Sequence, residues 1–403
     1  MSIALLVVAG CGARHGGTHL ASPPGRPNAQ TVTPMAAPRT HIQTIEARKL
    51  IGIDLVWHQG LRGKGMTVAV LDSGLKDDQG DFDAGTRVVA RLNLSGDDGH
   101  AAENVTDYLG HGTQVARIIA SNSAAYTGVA PMAQVVPVKI LTTSSNLTAG
   151  TILDALTWVV ANSHVYGISV VNLSLSDTAC DITDSTSLTT QHYPAIVAAI
   201  RTLTSKGIAV VAAAGPYYSA CIAKGTPPVR GQGMAFPAIV PTTISVGAVF
   251  DDYGGPLTMY GGTSVRSRRP GQILPISQRL HDTVGGVHAT DIFAPGSTIT
   301  TTLTNSVAST SNLLEFEHGV SDAVPFVSGA VLLMQEYYQR RYPGNLPPVS
   351  KIEGWLKAGA IDETDDYGDE DSVENTGLTY RRLSLDNTLK VMAKELGLPA
   401  PVQ

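Results

Sequence analysis

Short β-branched runs alternate along this chain with longer segments whose apolar residues recur at helical spacing, and this alternation constrains the fold more than any other feature. Strands are expected at 67–71, 87–94, 135–141, 169–173, 208–214 and 243–249. Between them, Ile152, Ala155, Leu156, Val159 and Val160 form one helical stripe, and Ile196, Ala199, Ile200 and Leu203 form another that ends at Gly207. A further helix is expected over 324–338 from Val327, Ala330, Val331 and Met334, with Pro325 in its first turn, where a missing N–H is tolerated. Strand and helix repeated in this way imply an α/β fold: a doubly wound, mostly parallel sheet flanked by helices.

A chain of 403 residues suits one large unit with short tails. The folded domain is expected over 41–396, after a Gly-, Pro- and Ser-rich linker at 12–40. A formal charge of −6 gives no electrostatic reason to expect nucleic acid as a partner. Residues 1–11 form a short apolar run, not preceded by Lys or Arg, that ends in Val8-Ala9-Gly10-Cys11. This resembles the lipobox of bacterial lipoprotein signals, which implies lipidation at Cys11, export, and membrane contact only through the lipid. The alternative is an apolar N-terminus that stays unprocessed. Setting Cys11 aside leaves Cys180 and Cys221, a pair that an exported protein oxidises, or else two separate buried thiols. The Gly- and Arg-rich segment 251–290, with Arg266-Ser267-Arg268-Arg269, reads as a surface loop, long enough for a flap or a processing site.

Three residues carry the chemistry. Asp72 ends the buried run Thr67-Val68-Ala69-Val70-Leu71, at the carboxyl edge where open α/β sheets present ligand-facing groups. Gly110-His111-Gly112-Thr113 opens a helix with an apolar face of Val115, Ile118 and Ile119, which places His111 in the first turn. Gly319-Val320-Ser321-Asp322 opens another, with Ser321 at the positive end of the helix dipole. Each motif alone is commonplace, because strand-end Asp and helix-start Ser are ordinary capping residues. Together, in the order Asp, His, Ser and each at a strand end or helix start, they make a nucleophilic triad.

On these residues the chain resembles the subtilisin-like serine peptidases, the S8 family, from about 45 to 394. Further motifs in the same order carry the resemblance: Gly128-Val129-Ala130-Pro131, Val136-Pro137-Val138-Lys139, Val171-Asn172-Leu173-Ser174-Leu175, Phe236-Pro237-Ala238, Ile244-Ser245-Val246-Gly247-Ala248 and Ala294-Pro295-Gly296. The resemblance implies a three-layer fold and an endopeptidase in which Ser321 attacks, His111 takes the proton and Asp72 orients the imidazole. It also implies that Ser174, Leu175 and Ser176 form one wall of the substrate site, and Ala213, Ala214 and Gly215 the other. A protein or peptide is then the substrate, and no cofactor is required.

Two departures define a competing expectation. The Asn that supplies an oxyanion donor in the family is Pro216 here, which leaves the Ser321 amide and raises the question whether the hydroxyl of Tyr217, Tyr218 or Ser219 fills the gap. Around the serine, Val320, Asp322 and Phe326 replace the family's residues, and Asp322 reads as a first-turn acid that favours the helix dipole. A pseudo-peptidase that binds peptides without cleaving them is therefore the alternative function. Family members often bind calcium, and the acidic run 362–371 offers carboxylates, though a solvated acidic loop is the expected reading.

Overall fold

The computed structural model describes residues 44–400 apart from 78–79, 98–100, 125–126, 143–146, 188–192, 224–231, 260–262, 303–312 and 367–370. Segments 1–11, with Cys11, and 12–40 lie outside the described residues. The strands in chain order are β1 (Thr67–Asp72), β2 (Leu92–Asn93), β3 (Gln134–Lys139), β4 (Ile168–Leu173), β5 (Ala209–Ala213), β6 (Ile244–Val249), β7 (Leu257–Thr258), β8 (Ser264–Val265), β9 (Ile292–Pro295), β10 (Ser297–Thr302), β11 (Leu313–His318), β12 (Ile361–Thr364) and β13 (Thr379–Arg382). The helices are α1 (Thr44–Ile51), α2 (Ile53–His58), α3 (His111–Ala120), α4 (Ala149–Tyr166), α5 (Tyr193–Ser205), α6 (Tyr218–Ala223), α7 (Asp282–Gly285), α8 (Val320–Gln339), α9 (Val349–Gly359) and α10 (Leu385–Leu396). None of the described helices is long and apolar enough to cross a membrane.

Nine strands form one sheet in the order β12-β13-β9-β6-β5-β4-β1-β3-β2, parallel throughout except for the antiparallel edge pair β12 and β13. Successive strand side chains point to opposite faces, so each central strand feeds two cores. Val68 and Val70 pack with α3 and α8, while Ala69 and Leu71 pack with α4 and α5. The chain thus leaves β1 for one face and β3 for the other, and the crevice this opens at the carboxyl ends is where such folds place their ligands. Asp72 closes β1 at that point.

Three expectations are corrected. The run 87–94 is strand only at β2, with a single bridge from Val88 to Val135. At its start the buried Arg87 guanidinium donates to the carbonyls of Asp81 (2.7 Å), Ala120 (2.8 Å) and Ala133 (2.8 Å). The segment 251–290 is no plain surface loop: after the β7–β8 hairpin it turns inward and adds Leu274, Ile276 and Leu280 to the cores, and its Arg279 is fully buried against Asp365. The acidic run is only in part a solvated loop: residues 362–364 belong to the largely exposed edge strand β12, Asp365 is buried, and 367–370 lie outside the described residues.

Candidate active site

His111 owes its place to a network that begins in the loop before α3. Asp107 accepts hydrogen bonds from the amides of Leu109 (3.1 Å), Gly110 (2.8 Å) and Thr113 (2.8 Å) and from the Thr113 hydroxyl (2.6 Å), which caps the first turn of the helix. Ser73, directly after Asp72, donates to Asp107 at 2.8 Å and accepts from the Gly112 amide at 2.8 Å. The approach is so close that a Cβ on Gly112 would lie 2.4 Å from the Gly74 carbonyl, so only glycine fits after the histidine. With the helix start fixed against the strand end, His111 Nδ1 lies 2.8 and 3.0 Å from the two carboxylate oxygens of Asp72. Asp72 is 1% and His111 7% exposed, and the Ser73 amide donates to the same carboxylate at 2.7 Å. A carboxylate only accepts, so Nδ1 carries the proton and the opposite nitrogen, Nε2, is the basic one.

Ser321 stands in the first turn of α8, which starts at Val320, where the Gly319-Val320-Ser321 motif put it, and not at 324, where its apolar stripe begins. Pro325 therefore lies past the first turn, and the N–H it lacks is the one that would have bonded the Ser321 carbonyl. That carbonyl accepts instead from the Ser174 hydroxyl at 2.8 Å. Ser174 in turn accepts from Asn172 Nδ2 at 3.0 Å, and Asn172 Oδ1 accepts from Ser328 at 2.8 Å, a buried polar chain that ties the helix to the end of β4. Asp322 does more than favour the dipole: it accepts from Gln114 Nε2 of α3 at 2.7 Å, and so joins the serine helix to the histidine helix.

The two expected walls leave the sheet side by side, since β4 and β5 are parallel neighbours with Ser174, Leu175 and Ser176 following one and Ala214 and Gly215 the other. Asp177 braces the first wall by accepting from the amides of Phe236 and Ala179 (both 3.1 Å) and from the Tyr193 hydroxyl (2.9 Å), while burial raises its pKa above the ordinary carboxylate range. A disulfide between Cys180 and Cys221, with Cα atoms 5.9 Å apart, ties the segment after the first wall to α6. Replacing both cysteines by serine is expected to cost about 4 kcal/mol, the loop-closure value for a span of 41 residues, seen as a lower guanidinium midpoint in non-reducing buffer.

Pro216 lies at the end of the second wall, and of its neighbours Tyr218 supplies no hydroxyl to the gap. Its ring is fully buried under the Arg279 guanidinium, 3.8 Å away, and its hydroxyl donates to the Glu374 carbonyl at 2.8 Å, with burial pushing its pKa up to about 12. Two carboxylates of the acidic run are already engaged by other side chains and amides. Both Asp365 oxygens are taken, one by Arg279 and the other by the Thr376 amide and hydroxyl, and Glu363 accepts from Arg382 at 2.6 Å. No group of three metal-capable side chains occurs among the described residues, and 367–370 lie outside them.

Asp107, Ser73 and Gln114 are the supporting residues that sequence reasoning missed. Only Asp107 carried a readable signal, a capping acid three residues before the Gly that precedes the helix.

With this geometry in view, the chain was compared with known proteins. The subtilase family profile matches residues 63–377. The major intracellular serine protease of Bacillus subtilis (strain 168) is 26% identical over 306 residues, which cover 75% of this chain and 78% of the relative. Subtilisin NAT of Bacillus subtilis subsp. natto is 32% identical over 227 residues, covering 53% of this chain and 51% of the relative. Among solved structures, a cold adapted subtilisin-like serine proteinase superposes with a TM-score of 0.52 at 22% identity over 80% of this chain and 90% of the other, which supports the fold alone. A profile that spans most of the described residues, together with these relatives, shows that this chain belongs to the subtilase family, peptidase family S8, and is a subtilisin-like serine protease.

Proposed function

We propose that the chain is an endopeptidase that works through Asp72, His111 and Ser321 and an acyl-enzyme intermediate. The observation that carries the reading is the two-pronged contact of His111 Nδ1 with the buried Asp72 carboxylate, which fixes the tautomer and makes Nε2 the base. In the first half-reaction Nε2 takes the Ser321 hydroxyl proton as Oγ attacks the peptide carbonyl. The C–N bond then breaks, and the departing amine receives that proton from the imidazolium. In the second, water gives its proton to Nε2, attacks the ester and returns Ser321 to its free hydroxyl. Asp72 stays ionised throughout and stabilises the imidazolium. The tetrahedral oxyanion is held by the amide of Ser321, in the helix turn whose N–H groups the i to i−4 ladder does not use. The substrate strand lies along Ser174 and Leu175 through main-chain hydrogen bonds. The Cys180–Cys221 bridge supports an exported protein, because such bridges persist in oxidising compartments.

A pseudo-peptidase is the second reading, favoured by one observation: proline at the oxyanion position, with the Tyr218 hydroxyl engaged elsewhere. A fluorophosphonate probe separates the two. The full chain is expected to form a covalent adduct that Ser321→Ala abolishes, and folded protein without a Ser321-dependent adduct would leave the pseudo-peptidase standing.

A further inference from the structure

The walls assigned to the side chain before the scissile bond are closed along their length. Ser174, Leu175 and Ser176 are 0, 1 and 0% exposed, and Ala213 and Ala214 are 3 and 0%. Against the second of them lies Gln278, a residue of the segment 251–290, itself 1% exposed. Its amide donates to the Gly215 carbonyl at 2.7 Å, and its side-chain Nε2 donates to the Ala179 carbonyl at 3.0 Å. One residue is thus bonded to the second wall and to the segment that follows the first.

Its carboxamide rests directly on Gly215. A Cβ at that position would fall 2.0 Å from Gln278 Oε1 and 2.6 Å from Cδ, with the Ala235 methyl next at 2.9 Å. Gly215 also has a φ of +115°, so the site excludes a side chain on both conformational and steric grounds.

We propose that Gln278 closes the deep end of this pocket and confines cleavage to bonds preceded by a small side chain: glycine, alanine or serine. The proposal rests on the reading of Ser321 as nucleophile and deepens it. A phenylalanine ring entering this space would have to expel the carboxamide and break its bond to the Ala179 carbonyl. A glycine, an alanine methyl or a serine hydroxymethyl is small enough to need no such displacement.

The test is the cleavage profile of the full chain on a peptide library, followed by kcat/KM on matched peptides with Ala or Phe before the bond, for the unaltered protein, Gln278→Ala and Gln278→Met. The unaltered protein is expected to favour Ala over Phe by about 10-fold or more, and Gln278→Ala to shift that ratio about 10–100-fold toward Phe. Gln278→Met keeps the volume and so keeps the preference for Ala. Cleavage after Phe or Leu as readily as after Ala in the unaltered protein overturns the proposal without recourse to any variant, and so does a folded Gln278→Ala with an unchanged ratio. Failure of the underlying reading looks different: no peptide is cut and no Ser321-dependent fluorophosphonate adduct forms, which removes both.

Discussion

Replacement of His111 by alanine is expected to lower kcat about 10⁶-fold while the fold persists, the magnitude that loss of the same group has in subtilisin. In the proposed mechanism His111 both takes the Ser321 proton and delivers it to the leaving amine, so its loss would disable two steps. Asp72→Asn separates orientation from chemistry. An asparagine amide keeps the volume of the carboxylate but presents a donor or a neutral acceptor, so Nδ1 is free to become the acceptor and the proton moves to Nε2, which then has nothing with which to take the serine proton. A fall of about 10⁴-fold in kcat with little change in KM is the expected result, the size of this effect in serine proteases of another fold. Steady-state kinetics on a peptide substrate, with circular dichroism to confirm folding, checks both. A drop of less than about tenfold in either variant would mean that the His111–Asp72 contact, at 2.8 and 3.0 Å, serves the fold rather than the reaction.

Much of this arrangement was legible in the sequence because it is encoded locally. The run Thr67-Val68-Ala69-Val70-Leu71-Asp72 announces a strand buried on both faces and ending in a carboxylate, and the helices that carry His111 and Ser321 begin with recognisable glycines. What escaped depends on contacts between distant segments. Nothing near Arg87 says that its guanidinium will collect the carbonyls of Asp81, Ala120 and Ala133 at the start of an expected strand. Nothing near Asp365 says that Arg279, 86 positions away, will pair with it in the interior, nor that residues 361–364 will add to the sheet edge against β13. Pro325 was misjudged for a related reason: the helix begins four residues earlier than its apolar stripe because Ser174, from another strand, satisfies the carbonyl that the proline abandons. Local propensity sets elements, and long-range polar pairing sets their ends.

The departure at Pro216 leads to a gain of function. Asparagine at this position is expected to raise kcat about 10²-fold, the lower bound of what the equivalent donor is worth in subtilisin itself. Proline contributes neither a backbone N–H nor a side-chain donor, and the Tyr218 hydroxyl is bound to the Glu374 carbonyl, so the oxyanion of the tetrahedral intermediate has a weaker cradle here than the family pattern provides. The peptide carbonyl of a bound substrate carries little charge and the oxyanion a full one. A donor aimed at the oxyanion position therefore acts on kcat and leaves KM nearly unchanged. Pro216→Ala is the control, since it restores the backbone N–H and relaxes φ without adding the carboxamide, and its kcat is expected to stay within about threefold. A Pro216→Asn variant that folds and shows no gain over Pro216→Ala would mean that another group already fills the position. The Tyr217 and Ser219 hydroxyls, one residue to either side of Tyr218, would be the ones to remove next.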